Sequence, residues 1–469
     1  MTIRATAAIA ALMTATAMTP VNASAQSGAT GAPAAPTYSK DVAPIFYKNC
    51  TNCHRPGEIA PMSLLTYKDT RPWAKSIGAQ VGRGAMPPWH ADPAHGEFLN
   101  DRRLSDHDQA TIVAWVNAGA PEGNPADLPA APAYASEWEI GKPDAIVGMA
   151  DDYPIPAQGT IPYQYFEIPT TFTEDKWIQA MEVRAGNPSV LHHVIVYARA
   201  PTPATPSAVA APPAGAAPAP AARPVPLFVF KEGTQIPSGQ TGGRPLPVDQ
   251  RVTPGPNDRP APARMGPTVG GFAPGQFLRV YQEGTAMRLP AGATLILQSH
   301  YTSNGTPTTD RTRVAFKFAS KPPQTEVRFA SLVNGSLHIP AGAADYRVDA
   351  EMTISRDVTL WSILPHTHVR GVRWSYDAIY PDGRTETILS VPKYDFNWQT
   401  DYVFKQPLKL PKGTMIHATA WYDNSSANKS NPDPTKEVWW GDQTWEEMMF
   451  SGLTFSIDAT PPSTSAPKQ

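Results

Sequence analysis

The sequence predicts a multidomain protein: a small all-α domain followed by two antiparallel β-sandwiches of jelly-roll type. Three observations predict this. Residues 38–122 carry helix signals, the clearest in "LSDHDQATIVAWVNAGAP", where Ser105 and Asp108 resemble a capping box. There Ile112, Val113, Trp115 and Val116 form an apolar stripe and Gly119 stops it. A Pro/Ala-rich linker is expected over 123–139, within and just past "EGNPADLPAAPAYASEW" (122–138). Beyond it come short alternating runs broken by Pro, Gly, Asn and Asp, among them "KWIQAMEVRA", "HHVIVYARA", "ATLILQSHYT", "RVAFKFA" and "DVTLWSILPHTHV". The 53 prolines in 469 residues suit sandwiches joined by loops better than a helical bundle.

In chain order, the first 25 residues read as a secretory signal. Arg4 supplies the positive start, "ATAAIAALMTATAM" the apolar stretch, and Ala23-Ser24-Ala25 a small-residue cleavage site. This predicts export to the periplasm, with cleavage after about Ala25 and a linker over 26–37. No later stretch is long and apolar enough to predict a membrane span. A net charge of −2 without a basic block argues against nucleic acid as the main partner.

The chain has only two cysteines, Cys50 and Cys53, and His54 follows at once in "KNCTNCHRPG". C-x-x-C-H is the attachment signature of c-type haem: two thiols form thioethers and the histidine becomes the proximal ligand. A zinc site needs further Cys or His at similar spacing, and a redox dithiol needs a βαβ setting, which the flanks lack. No cysteine then remains for a disulfide. With helices expected in "SKDVAPIFYKNC" and "YKDTRPWAKSIGAQV", residues 38–122 resemble a small class I cytochrome c domain. Its distal ligand is assigned to Met86 in "RGAMPPWHADP", whose soft thioether favours reduced iron. Met62 lies too close to His54 to cross the haem, and His90 and His95 are lesser candidates.

The first sandwich is expected over 140–322 and the second over 323–459, with a loose tail at 460–469. A Pro/Ala/Gly-rich insertion at about 200–270 has little to bury and reads as a surface excursion, partly polyproline II.

Metal chemistry is suggested by histidines at the ends of the apolar runs. His366 and His368 in "ILPHTHVRG" share a face if the strand continues through them. His192 and His193 are adjacent, so they share a metal only where a strand ends or bulges. His300 ends "LILQSH" and completes a three-nitrogen set. Met448 in "WWGDQTWEEMMFSG" offers a thioether, a donor that favours Cu(I). His417 and His338 read as core and turn residues.

The ordered series HH … HY … HTH … EEMM over about 140–458 resembles the copper type II, ascorbate-dependent monooxygenases, the family of the peptidylglycine α-hydroxylating and dopamine β-monooxygenases. The resemblance implies that His192, His193 and His300 bind an electron-storing copper. It implies that His366, His368 and Met448 bind the catalytic copper where oxygen reacts. The implied protein is a periplasmic copper-dependent monooxygenase that hydroxylates a C–H bond of a small organic substrate with O₂. It carries two coppers and one covalent haem c, the haem relaying electrons from a periplasmic donor or an ascorbate-like reductant. The alternative is a non-catalytic periplasmic haem and copper electron-transfer or copper-binding protein. Where the peptide-amidating member has an arginine and a tyrosine for the substrate carboxylate, this chain has Leu364 and Gly452, so a C-terminal glycine peptide is not the implied substrate. Arg370 reads as a surface ion-pair residue or an anchor for an acidic group. Trp361, Trp374, Trp439, Trp440 and Trp445 suggest an apolar pocket or sandwich core.

Overall fold

The computed structural model describes residues 35–58, 60–134, 137–202, 226–231, 257–273 and 278–458. The expected signal segment, the expected tail and most of the Pro/Ala-rich insertion lie outside the described residues. The described residues from 36 onward form one compact unit in which β-strands predominate.

A nine-stranded sheet runs through this unit. One half consists of Ala145–Gly148, Arg313–Phe318, Lys176–Arg184, Leu278–Val280 and Thr285–Leu289. The other consists of Thr325–Val333, Phe450–Ile457, Val358–His366 and Tyr402–Leu410. The halves join where Thr285–Leu289 pairs in parallel with Thr325–Val333. A four-stranded sheet, Gln164–Pro169, Thr294–Tyr301, Leu191–Arg199 and Thr268–Phe272, covers the first half. A five-stranded sheet built on Gly371–Ile379, Met415–Tyr422 and Tyr346–Ile354 covers the second. Alternation drives this layering: in Tyr346–Ile354 the inward residues Val348, Ala350, Met352 and Ile354 are buried and meet Leu360, Ile363 and Phe455 of the long sheet. Val194, Val196, Leu295 and Leu297 likewise face Ile178, Val183 and Phe316 in the first half.

The predicted fold class requires correction, because the described residues contain no sizeable all-α cytochrome domain. The described part of 38–122 holds only short α-helices, Ala43–Asn49, Tyr67–Thr70, Ala74–Gly82 and Asp106–Asn117, around a small core of Phe46, Ile112 and Trp115. Ser105 does cap the last of them, accepting from the Asp108 N–H at 3.1 Å. Residues 87–101, however, leave the helices. Pro87, Pro88 and Pro93 deny them a helical backbone, and Trp89 and Phe98 bury themselves among Tyr402 and Phe404 of the second half. Backbone bonds seal the seam, from Leu99 N–H to the Val403 carbonyl and from Lys405 N–H to the Glu97 carbonyl, both at 2.8 Å. The haem-motif loop is held to the first half by charge: Arg55 bonds Glu58 and Glu139, each at 2.9 Å, and Arg184 reaches Glu58 at 3.5 Å. The helices do not form a separate domain: these bonds and ion pairs build them into the β-rich unit. The architecture is one β-rich unit with a helical flank, and it is not purely antiparallel.

The insertion also departs from a simple excursion of the first half. Its segment Phe228–Phe230 pairs with Tyr346–Ile354 in the second half, and the Phe228 ring meets Phe455 at 5.0 Å. No helix among the described residues is long and apolar enough to cross a membrane.

Candidate metal centre

Strands Leu191–Arg199 and Thr294–Tyr301 place the first histidine group. His193 pairs directly with His300, but the next pair is Leu191 with Tyr301, so His192 is the extra residue of a bulge. The bulge is what lets two consecutive side chains serve one point. Ligand atoms of His192, His193 and His300 all lie within 4.8 Å of one another, and Nδ1 of His192 is 3.2 Å from Nδ1 of His193. Tyr163 closes over them, its ring 4.9 Å from His300 and 5.5 Å from His193. Burial is the main reason their pKa values fall, to about 4 for His192 and about 3 for His300, with His193 also well below its ordinary value. All three are therefore neutral imidazoles at physiological pH. Nδ1 of His300 is buried without a hydrogen-bond partner.

The second group forms where strand Val358–His366 ends. His368 lies beyond that end, in the turn, so the pair is brought together by the turn and not by strand alternation. Their ring centroids are 5.3 Å apart. Nδ1 of His366 is 2.8 Å from Oε1 of Gln399, and Nδ1 of His368 is 3.2 Å from the Glu446 carbonyl. Burial lowers the His366 pKa to about 4 and takes His368 well below its ordinary value.

Met448 is brought to this group by Glu447. The fully buried Glu447 carboxylate accepts backbone N–H bonds from His368 and Arg370, each at 2.7 Å, and from Met448 at 3.0 Å. One side chain thus ties the HTH turn to the EEMM loop. Tyr422 adds a bond from its hydroxyl to the Met448 carbonyl at 2.8 Å. Burial pushes the Glu447 pKa up to about 7 in spite of these donors. Arg370 is neither a surface ion-pair residue nor an open anchor: it is 2% exposed, and its guanidinium donates to Asn424 and to the Trp445 carbonyl.

Both groups open on one cavity of about 470 Å³. His193 lines it from one side and His366 and Met448 from the other, with Phe272, Tyr281, Phe329 and Trp440 among its walls. Arg279 also reaches it, but its charge is paired with Asp401. Asp442 is the acidic group on the wall, and burial pushes its pKa up to about 6. Of the tryptophans, Trp440 lines the cavity, Trp374 sits in the second core and Trp439 stacks on His338 at 3.8 Å. His338 stays with that stack, and His417 bonds Asp349 at 2.8 Å.

In the helical flank, Cys50, Cys53 and His54 occupy one tight loop in which the His54 N–H bonds the Cys50 carbonyl at 3.0 Å. Nδ1 of His54 is 3.3 Å from the Met62 carbonyl. Cys50, Met62 and Met86 pack against the same small core. Burial pushes the Cys50 thiol up to about 12 and raises Cys53 as well, which is unsuited to a reactive dithiol. His90 and His95 lie on the segment that packs against the second half, beyond the Trp89 that enters its core.

Gln399, Tyr163, Glu447 and Phe396, whose ring stacks on His192 at 4.8 Å, were not singled out by sequence. Glu447 had a signal in its position beside Met448; Gln399 had none, since only folding brings it to His366.

No family model matches the chain, and no curated protein does. Among solved structures, the VP2 subviral particle of infectious bursal disease virus is 9% identical with a TM-score of 0.16, covering 66% of this chain and 70% of that one. The coconut allergen cocosin is 7% identical with a TM-score of 0.12, covering 66% and 87%. Likenesses this slight carry no argument about fold or function.

Proposed function

We propose that this chain is an exported copper-dependent monooxygenase that hydroxylates a C–H bond of a small organic molecule, with electrons supplied through a covalent haem c. The observation that carries the reading is the pairing of two unlike donor sets, one of three imidazoles and one of two imidazoles beside a thioether, on a single cavity.

The residues fit copper. Metal binding requires neutral imidazoles, and burial keeps all five in that form. Gln399 and the Glu446 carbonyl engage Nδ1 of His366 and His368 and orient Nε2 as the binding nitrogen. His300 keeps a buried nitrogen free for the same purpose. When bound, the two coppers supply one electron each toward reduction of O₂, and Met448 favours the reduced state of its own. The overall reaction places one oxygen atom in the C–H bond and releases the other as water, using two electrons and two protons.

This chain's share is positioning and exclusion of water. The cavity walls suit a substrate with an apolar body, and Glu447 fixes the spacing of His368 and Met448. The haem loop fits its group as well: two thiols and an imidazole share one turn, and the Met62 carbonyl orients His54. Met86 remains the assigned distal ligand. Three residues after it, Trp89 contacts Tyr402 at 5.1 Å, on the segment that also carries Gln399 to His366. A haem held by Cys50, Cys53, His54 and Met86 would supply single electrons, and the Trp89–Tyr402 contact links its flank to the strand segment beside His366.

The test is metal content together with oxygen uptake. Protein made in a periplasm should hold one haem and two coppers, and the reduced form should consume O₂ when apolar substrates are added, with hydroxylated product in step. Zinc in place of copper, or a full copper load without substrate-dependent uptake across a broad substrate panel, refutes the enzyme.

A further inference from the structure

We propose that residues 390–402 form a bracket that fixes the His366–Thr367–His368 turn from the side of the helical flank, with Tyr394 as its positioning residue. This rests on the copper reading above and adds to it what holds the two imidazoles beside Met448 in place.

Strand alternation cannot fix this pair, because His368 lies past the end of Val358–His366. Something else must hold the backbone between the two histidines. That backbone belongs to Thr367, which is fully buried. Its N–H donates to the Tyr394 hydroxyl at 3.2 Å, and the same hydroxyl donates to the Thr367 carbonyl at 3.1 Å. A phenol can accept and donate at once, so one side chain pins both peptide groups that separate the histidines. On the other side of the turn, the space a Cβ on Gly371 would need is filled by the Thr367 hydroxyl. Tyr394 is itself tied down, its N–H bonding the Val372 carbonyl at 2.9 Å.

Two more residues of the segment reach the turn. Oε1 of Gln399 stands 2.8 Å from Nδ1 of His366, and the Gln399 amide nitrogen donates to the Phe396 carbonyl at 3.3 Å. The Phe396 ring lies 6.0 Å from that of His368. The outer side of the segment belongs to the flank. At one end the Asp92 N–H bonds the Ser390 carbonyl at 2.9 Å. At the other, the Asn100 side chain donates to the Asp401 carbonyl at 2.7 Å and accepts from the Val403 N–H at 3.1 Å, while Trp89 packs on Tyr402. The part of the chain that carries the C-x-x-C-H loop therefore grips both ends of a segment whose middle holds the turn. Partners behind metal-binding imidazoles set ligand orientation, and their loss costs about 10–100-fold in metal affinity.

The experiment is a titration of the full-length protein with Cu(I) against a chromophoric chelator, in two backgrounds. His193→Ala, or equally His300→Ala, leaves only the second donor set whole; His366→Ala leaves only the first. Tyr394→Phe keeps the ring and removes the hydroxyl. It should weaken Cu(I) binding about tenfold where the second set remains and leave the first set unchanged. At saturating copper, the Cu(II) hyperfine splitting in electron paramagnetic resonance should move in the first background alone, a change that a mere loss of stability does not produce. Asn100→Ala frees the far end of the segment without touching a ligand and should weaken the same site by a smaller factor. Wild-type affinity and an unmoved spectrum in Tyr394→Phe overturn the proposal. So does an equal loss in both backgrounds, which marks general destabilisation. Unchanged binding in Asn100→Ala overturns the flank's part in the bracket. A His193→Ala and a His300→Ala protein that both bind no copper sink the copper reading, and the bracket's role with it.

Discussion

Replacing Asp442 by Asn should stabilise the protein at high pH and leave it unchanged in acid. The carboxylate sits on the cavity wall, and no hydrogen bond to it is found among the described residues. Burial alone raises its pKa from 3.8 to about 6. A raised acid prefers to keep its proton in the folded state. The stability it contributes is complete below 3.8 and is lost as pH rises through 6. A gap of about two pH units corresponds to at most roughly 3 kcal/mol, and solvent reaching this half-buried side chain lowers it. Asp442→Asn keeps the shape, removes the charge and abandons no partner. Urea denaturation of the metal-free proteins should find the variant more stable by up to about 3 kcal/mol near pH 8, with the difference closing near pH 4. A difference of the same size at both pH values, or a variant weaker at pH 8, refutes the assignment of a half-buried, unpartnered carboxylate.

Two other substitutions probe the frame around the centre. Glu447→Ala leaves three buried backbone N–H groups without an acceptor. At about 1–3 kcal/mol each the loss is roughly 3 kcal/mol or more, and copper titration should show the His366 site weakened before the His192 site; an unaltered titration contradicts the bracing role. Trp89→Ala empties a contact with Phe98 and Tyr402, and denaturation should record a loss of about 3–5 kcal/mol, with faster hydrogen exchange at the Leu99 and Lys405 amides. Exchange that stays slow at those amides shows that the seam holds without the tryptophan.

Much of the centre was legible because its residues are chemically conspicuous. Five histidines stand at or just beyond the ends of apolar runs, which fold as the strands Leu191–Arg199, Thr294–Tyr301 and Val358–His366. The bulge at His192 was foreseeable as a condition, since adjacent side chains cannot otherwise converge. What stayed hidden depended on non-local packing. Residues 87–101 sit amid helical sequence, and only the partners of Trp89 and Phe98 reveal that they belong to the second half. The apparent cytochrome domain failed for the same reason: helix signals report local preference, not what a segment packs against. Arg370 misled because an arginine after a polar motif looks exposed, whereas Asn424 and a carbonyl receive its donors inside. Phe228–Phe230 was masked by the proline and alanine around it.

The parallel pairing of Thr285–Leu289 with Thr325–Val333 has a consequence for anyone who would divide the molecule. A cut in the connection near residue 322 looks harmless on paper, yet it leaves each fragment with a raw strand margin in mid-sheet, its amides and carbonyls unsatisfied. Such margins seek one another or seek strangers. Expressed apart, the fragments should clump; expressed together, they should reassemble along that seam.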